Sequence, residues 1–240
     1  MIAITSITKA NPLMIAHAGG GIDGKNYSNS LEAINLNYSK GFRYFEIDFS
    51  WTKDEKLVCI HDWQKQFKKV FAYKTRHPLS AEQFQSLLDK TAGLHPCTLT
   101  TLGEWLEKHE DAKIITDIKS ENIKALGTII KLYPHLSRQF IPQFYQPYEY
   151  KILKSMGFKQ LIWILYQYQG AHASVVIHAQ DMKLFAISMK ASQAKKAFAQ
   201  QLIKDKNNVF VYTINKQKKL NKLVKKYHVS GIYTDFLSTN

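Results

Sequence analysis

Apolar residues recur along this chain in short runs bounded by polar or turn-forming positions, the pattern of buried strands. They fall at Leu13 to Ala16, Tyr44 to Trp51, Leu57 to Ile60, Lys113 to Ile118, Phe140 to Phe144, Leu161 to Tyr166, Leu184 to Ser188, Val209 to Ile214 and Ile232 to Tyr233. Between most of them the spacing turns helical. Ser30 to Ser39 carries Leu31, Ala33, Ile34 and Tyr38, Leu102 to His109 and Ile123 to Leu132 read similarly, and Leu220, Leu223, Val224 and Tyr227 form one helical face. Alternating strand and helix predicts a mainly parallel sheet, and about eight such units in 240 residues is the size of a (β/α)8 TIM barrel.

Two irregularities are expected. Thr52 to Lys56 is too short for a helical crossover, so the strands around Phe49 and Val58 should pair as a hairpin; a turn about Lys53 and Asp54 would set His61 opposite Glu46. Gln64 to Cys97 fits no strand–helix unit and reads as a small insertion after the third strand. No linker, repeat or low-complexity tract divides the chain, which predicts one domain over residues 1–240 with an insertion at about 64–97.

Composition adds the sign of the surface. With 45% hydrophobic residues a core is assured, and 33 Lys and Arg against 19 Asp and Glu give a net charge of +14, favouring anionic partners such as phosphates, nucleic acid or acidic lipid headgroups. The two cysteines cannot build a disulfide framework; Cys59, in an apolar run, reads as a buried thiol, and no redox chemistry is expected. Met1 to Thr5 lacks the charged start and apolar run of a secretory signal, and no segment holds ~18 uninterrupted apolar residues, so a cytoplasmic protein is expected.

The candidate chemistry sits at strand ends. In Arg43 to Phe49, alternation puts Glu46 and Asp48 on one face. Two carboxylates so close in one pocket call for a cation, and oxygen-only ligands suit Mg²⁺ or Ca²⁺; the alternative is a pair of solvated acids. Asp117 and Lys119 share a face in the same way, able to complete a metal shell and meet an anion, or to form a plain ion pair. His17 and His61 each end an apolar strand, and two imidazoles beside a bound cation make an acid/base pair. Gly19, Gly21 and Gly24 match G-x-G-x-x-G, but Lys25 to Asn29 intervenes before a helix capped at Asn29 or Ser30; the glycines read instead as a flexible loop over a charged ligand.

Taken in order, His17-Ala18-Gly19, Asn29-Ser30-Leu31-Glu32-Ala33, Glu46-Ile47-Asp48, Thr52-Lys53-Asp54, Leu57-Val58, His61-Asp62, Asp117-Ile118-Lys119, Tyr212-Thr213-Ile214-Asn215 and Tyr233-Thr234-Asp235 closely resemble the glycerophosphodiester phosphodiesterase family, over nearly the whole chain. The resemblance implies a (β/α)8 barrel with the family's insertion at Gln64 to Cys97. It implies His17 and His61 as the acid/base pair, Glu46, Asp48 and Asp117 as ligands of a divalent cation, Lys119 as a contact to substrate phosphate, and Gln143 and Tyr212 near the pocket. Three positions depart from the family: Ala18 stands where an Arg usually clamps phosphate, Ser28-Asn29-Ser30 replaces Glu-Asn-Thr, and Asp117 replaces a longer Glu.

The expected activity is metal-dependent hydrolysis of glycerophosphodiesters to glycerol 3-phosphate and an alcohol, the substrate being a small-molecule phosphodiester. A phospholipase C- or D-like lipid phosphodiesterase is the alternative, since Lys216 to Lys226 forms a basic amphipathic stretch able to meet an anionic membrane. A non-catalytic phosphate-binding module is the third reading, and both histidines argue against it. Nucleic-acid binding is not expected, because the lysines are scattered and no groove-reading motif is present.

Overall fold

The computed structural model describes residues 11–239. The reading of Met1 to Thr5 lies outside them. In chain order come β1 (Leu13–Ala16), α1 (Leu31–Ser39), β2 (Tyr44–Trp51), β3 (Leu57–Val58), α2 (Lys65–Phe71), α3 (Ala81–Lys90), α4 (Leu99–Glu107), β4 (Lys113–Ile118), α5 (Asn122–Leu132), β5 (Phe140–Phe144), α6 (Pro147–Ser155), β6 (Ile162–Ile164), α7 (His172–Gln180), β7 (Ala186–Lys190), α8 (Ala197–Lys204), β8 (Val209–Tyr212), α9 (Gln217–Tyr227) and β9 (Gly231–Thr234). The strands run in the order β1-β9-β8-β7-β6-β5-β4-β2, with β1 pairing β2 to close the ring and β3 attached to β2 alone. All pairs in the ring are parallel. This is the expected (β/α)8 barrel.

Period-2 alternation separates two cores. Ile15, Ile115, Ile141, Ile162, Ala186, Phe210 and Tyr233 point inward and fill the barrel. Their neighbours Ala16, Phe45, Ile47, Ile114, Phe140, Trp163, Ile187 and Val211 point outward under the helices. Inward positions one step closer to the strand C-terminal ends are polar except Ile164 of β6, and there the barrel changes from packing to chemistry.

The hairpin forms, though slipped by one residue from the expected turn. Ser50 pairs with Val58 and Trp51 with Leu57, antiparallel, and the ladder stops there. That register would face Glu46 with Asp62, so strand pairing does not join His61 to Glu46. Beyond β3, α2 and α3 bury Phe67, Phe84 and Leu88 against Val58 and Ile60, a small apolar cluster separate from the barrel cores. Ser80 starts α3 with a reciprocal side-chain cap shared with Gln83.

Cys59 is not a free thiol: it forms a disulfide with Cys97, Cα to Cα 4.9 Å, closing a 38-residue excursion that contains α2 and α3. Spacing alone carried no sign of this, because neither cysteine has a local partner. The basic stretch forms α9, whose Leu220 and Leu223 are buried in the outer core. Among the described residues no helix is long and apolar enough to cross a membrane.

Candidate active site

β1 ends at Ala16, and His17–Gly19 makes one tight turn before the glycine run. The Asn37 side-chain amide, presented by α1, donates to the carbonyls of Gly19 and Gly21, each at 3.2 Å, and of Ala33 at 2.8 Å. A Cβ on Gly20 would lie 2.4 Å from Asn37 Nδ2, and one on Gly21 2.5 Å from the Asp235 carbonyl. The glycines therefore allow close packing, and His17 to Gly21 is buried throughout. The expected flexible loop is in fact a rigid seat for His17. The cap of α1 is Ser30, whose Oγ accepts from Ala33 N–H at 3.2 Å.

The acids converge as alternation implied. Glu46, Asp48 and Asp117 bring carboxylate oxygens within 4.8 Å of one another, all buried. Each is held separately. Glu46 accepts from the Ala18 backbone N–H at 2.8 Å. Asn29 grips Asp48 twice, donating from Nδ2 to Oδ2 at 3.1 Å and accepting the Asp48 backbone N–H at 3.0 Å. Tyr145 and Tyr166 both donate to Asp117 Oδ1, the latter at 2.8 Å. Lys119 Nζ bridges Asp48 Oδ1 at 2.7 Å and Asp117 Oδ2 at 3.0 Å.

The electrostatics identify what this cluster accommodates. Burial, then the Asp48 charge, push the Glu46 carboxyl well above the usual carboxylate range despite His17. Burial would do the same to Asp48, but Lys119, with His61 and His17, holds it below its ordinary value. Lys119 is partly buried, which alone would lower its pKa, but Asp48 and Asp117 hold it charged. Three hard oxygen donors at this spacing, one of which resists ionising beside the others, fit a small divalent cation.

Each histidine has a carboxylate behind it. His17 Nδ1 meets Asp235 Oδ1 at 2.8 Å, with Nε2 turned toward Glu46 at 4.0 Å. Burial alone would lower the His17 pKa, yet the Asp235 hydrogen bond and the charges of Glu46, Asp235 and Asp48 raise it to about 9. His61 Nδ1 meets Asp62 Oδ2 at 2.9 Å. Asp235 is itself fixed by Asn215 Nδ2 at 2.7 Å. Both imidazoles thus turn Nε2 away from their carboxylates, and Tyr27 packs edge-on between the rings, at 4.5 Å from His17 and 5.4 Å from His61 between centroids.

These groups line one cavity of about 270 Å³ at the C-terminal end of the barrel. His17, His61, Glu46, Asp117, Lys119, Gln143 and Tyr212 all border it, with Asp48 directly behind, so every site residue expected from sequence is here. Gln143 is 1% exposed and neither its amide nitrogen nor its carbonyl oxygen has a partner, and the Tyr212 hydroxyl is likewise buried and unpartnered.

Several positions went unassigned in the sequence. Asp235 and Lys190 were within reach of alternation, lying two residues beyond inward Tyr233 and four beyond inward Ala186. Tyr27 sits in an irregular segment and Tyr145 just past a strand end, where periodicity gives no direction, while Tyr166 closes the run Leu161 to Tyr166 but lies on a tight helical turn after β6. Ala18 is fully buried, with its N–H committed to Glu46.

Solved structures of the same architecture include a glycerophosphodiester phosphodiesterase from Thermotoga maritima, TM-score 0.74 at 18% identity, covering 94% of this chain and 95% of that one. One from Parabacteroides distasonis matches at TM-score 0.69 and 17% identity, with 94% of each chain covered. A phosphodiesterase from Oleispira antarctica, solved with the product sn-glycerol-3-phosphate, matches at TM-score 0.69 and 16% identity, again over 94% of each chain. No curated protein sequence matches. At these identities the structures speak for the fold, but the sequence model of the glycerophosphoryl diester phosphodiesterase family matches residues 17–239, from the first histidine to the last described residue, and the chain belongs to that family.

Proposed function

We propose that this protein hydrolyses glycerophosphodiesters to glycerol 3-phosphate and an alcohol, with His17 and His61 as the proton-transfer pair. The observation that carries the reading is two imidazoles, each backed at Nδ1 by its own carboxylate, opening onto a cavity bordered by Glu46 and Asp117 of the three clustered carboxylates. The bound glycerol 3-phosphate of the Oleispira antarctica protein supports the product assignment.

Glu46, Asp48 and Asp117 are the residues that would hold a divalent cation, Mg²⁺ or Ca²⁺, which would supply positive charge against the phosphoryl oxygens and acidify a hydroxyl. Asn29, Tyr145 and Tyr166 keep these carboxylates pointed at the cavity. With Asp235 and Asp62 on the Nδ1 atoms, Nε2 of one histidine accepts the proton of the attacking hydroxyl and Nε2 of the other gives one to the leaving alcohol oxygen. Lys119 stands between Asp48 and Asp117, where its ammonium also reaches a phosphoryl oxygen. Gln143 and Tyr212 offer unpaired hydrogen-bonding groups suited to substrate hydroxyls.

The test is phosphodiester hydrolysis of glycerophosphocholine, glycerophosphoethanolamine and glycerophosphoinositol, read as glycerol 3-phosphate, and of a lysophospholipid, read as its acylated product, each with and without EDTA. Activity on the first three, lost with EDTA and restored by Mg²⁺ or Ca²⁺, is expected. Turnover of the lysophospholipid alone would favour the lipid phosphodiesterase, which α9 does not support, since its apolar residues Leu220 and Leu223 are committed to the core.

The whole chain acts as one barrel domain with its insertion at 64–97. As to compartment, a buried Cys59–Cys97 disulfide fits an oxidising setting better than the reducing cytoplasm first expected. Thiol titration of protein isolated under acid trapping checks the bridge; two free thiols would remove this ground for an oxidising setting.

A further inference from the structure

Lys190, exposed at the end of β7, is a second cation at the border of the cavity, and it differs from Lys119 in where it stands and what it touches. Lys119 is ion-paired with Asp48 and Asp117 beside the reaction centre. Lys190 borders the same cavity, and among the described residues no carboxylate pairs with it. It ends β7, inward by alternation from Ala186 and Ser188, and lies beside Tyr212 of β8. In the closed ring β7 is four strands from β2 in either direction, so Lys190 stands across the mouth from Glu46 and Asp48.

That position sets Lys190 on the wall facing the clamp missing at Ala18 and not in its place. Ala18 adjoins Glu46 through its N–H, at 2.8 Å, on the opposite wall. A phosphodiester reacting between His17, His61 and the carboxylates leaves the remote end of the substrate directed at β7. There it would meet one unpaired ammonium among the phenols of Tyr166 and Tyr212. Phenol rings alone would welcome a quaternary ammonium, but a lysine with no neutralising carboxylate repels one and attracts an anion.

We propose that Lys190 is a specificity residue selecting glycerophosphodiesters whose alcohol group carries a second negative charge, such as a terminal phosphate, over those with a cationic headgroup. This rests on the hydrolytic reading above. The basic surface, +14 overall, draws such doubly anionic substrates to the mouth, and Lys190 recognises the charge that the reaction centre does not use.

The experiment measures kcat/KM for wild type, Lys190→Met and Lys190→Glu on three diesters: glycerophosphoglycerol, the same diester bearing a terminal phosphate, and glycerophosphocholine. Ratios between substrates are read within each variant, so a loss of folded protein cancels. The wild type is expected to prefer the phosphate-bearing diester, and Lys190→Met to cut that preference about tenfold, the worth of one charge-assisted contact. Lys190→Glu should reverse it in favour of glycerophosphocholine. A uniform loss on all three substrates would make Lys190 a general phosphate clamp, and unchanged ratios would make it a solvated lysine; either overturns the inference and leaves the hydrolytic reading intact. No turnover of any diester by the wild type would instead remove that reading, and the inference with it.

Discussion

The mouth of the barrel and the insertion beside it are stabilised in opposite ways. At the mouth, buried ionisable groups are held by dense polar ties: Asp235 by Asn215, Asp48 by Asn29, Asp117 by Tyr145 and Tyr166. The insertion has short helices, a handful of aromatic residues around Phe67 and Phe84, and one disulfide. The first arrangement spends stability on keeping like charges together; the second spends almost none, yet has little core to unfold. They meet along the segment between β1 and α1. Gln66 of α2 donates to the Tyr27 carbonyl, and the Cys97 N–H donates to the Asn29 carbonyl at 2.9 Å. The insertion therefore fastens the loop that carries the ring between the histidines and the amide that grips Asp48.

The contrast predicts its largest effects at the mouth. Glu46→Gln should abolish divalent-ion binding in calorimetry and turnover with it, while the melting temperature of the chelator-treated protein stays level or rises, because a buried carboxyl that resists ionisation has been made neutral. His17→Ala and His61→Ala should each lower kcat by roughly a hundredfold or more. A Glu46→Gln protein that melts well below wild type without metal would mean that this carboxylate stabilises the fold, and the comparison would fail at its first term.

Removing the disulfide probes the other region. Cys59→Ser with Cys97→Ser releases a loop of 38 residues by sequence separation, and should cost about 2–4 kcal/mol of stability. The loss should appear first as faster proteolysis within residues 64–97. Turnover should fall less than in the histidine variants, because the barrel still carries the acids and His17; weakened metal binding through Asn29 and a looser seat for His61, two residues from Cys59, are the expected routes. Cleavage appearing first in the β6 to β8 region would show that the insertion is no separate weak point.

The difference between the regions also explains what could be read in the sequence. Strand alternation fixed the inward faces, so Glu46, Asp48, Asp117 and Lys119 came together as expected, and strand ends located His17 and His61. The hairpin slipped by a residue because a short turn allows more than one register. The tie between Cys59 and Cys97, the packing of Asn37 under the glycines and the place of Tyr27 depend on contacts between distant, irregular segments, for which no periodicity exists. Asp235 shows the boundary: its face was legible, but its partnership with His17, 218 residues away in sequence, was not.

The smallest predicted effect lies at the edge of the insertion, where His95 Nδ1 meets Glu32 Oε1 of α1 at 2.7 Å. The hydrogen bond to Glu32 raises His95 above its ordinary 6.5 despite some burial, so its stabilisation is complete below 6.5 and is lost as pH rises through the raised value. Burial would raise Glu32, but His95 holds it below its ordinary 4.5, so that contribution is present above 4.5 and is lost as pH falls through the lowered value. The tie is thus fully made between about pH 4.5 and 6.5 and weakens on the alkaline side. With these side chains 41% and 39% exposed, solvent screening limits it to at most about 1 kcal/mol. Proteolysis within residues 64–97, read as the ratio of His95→Gln to wild type at each pH, should show the variant cut several-fold faster near pH 6 and the ratio falling toward one as pH rises through the raised His95 value. A ratio flat across that range would remove the ion pair from the forces holding the insertion, leaving the disulfide and the aromatic cluster to account for it.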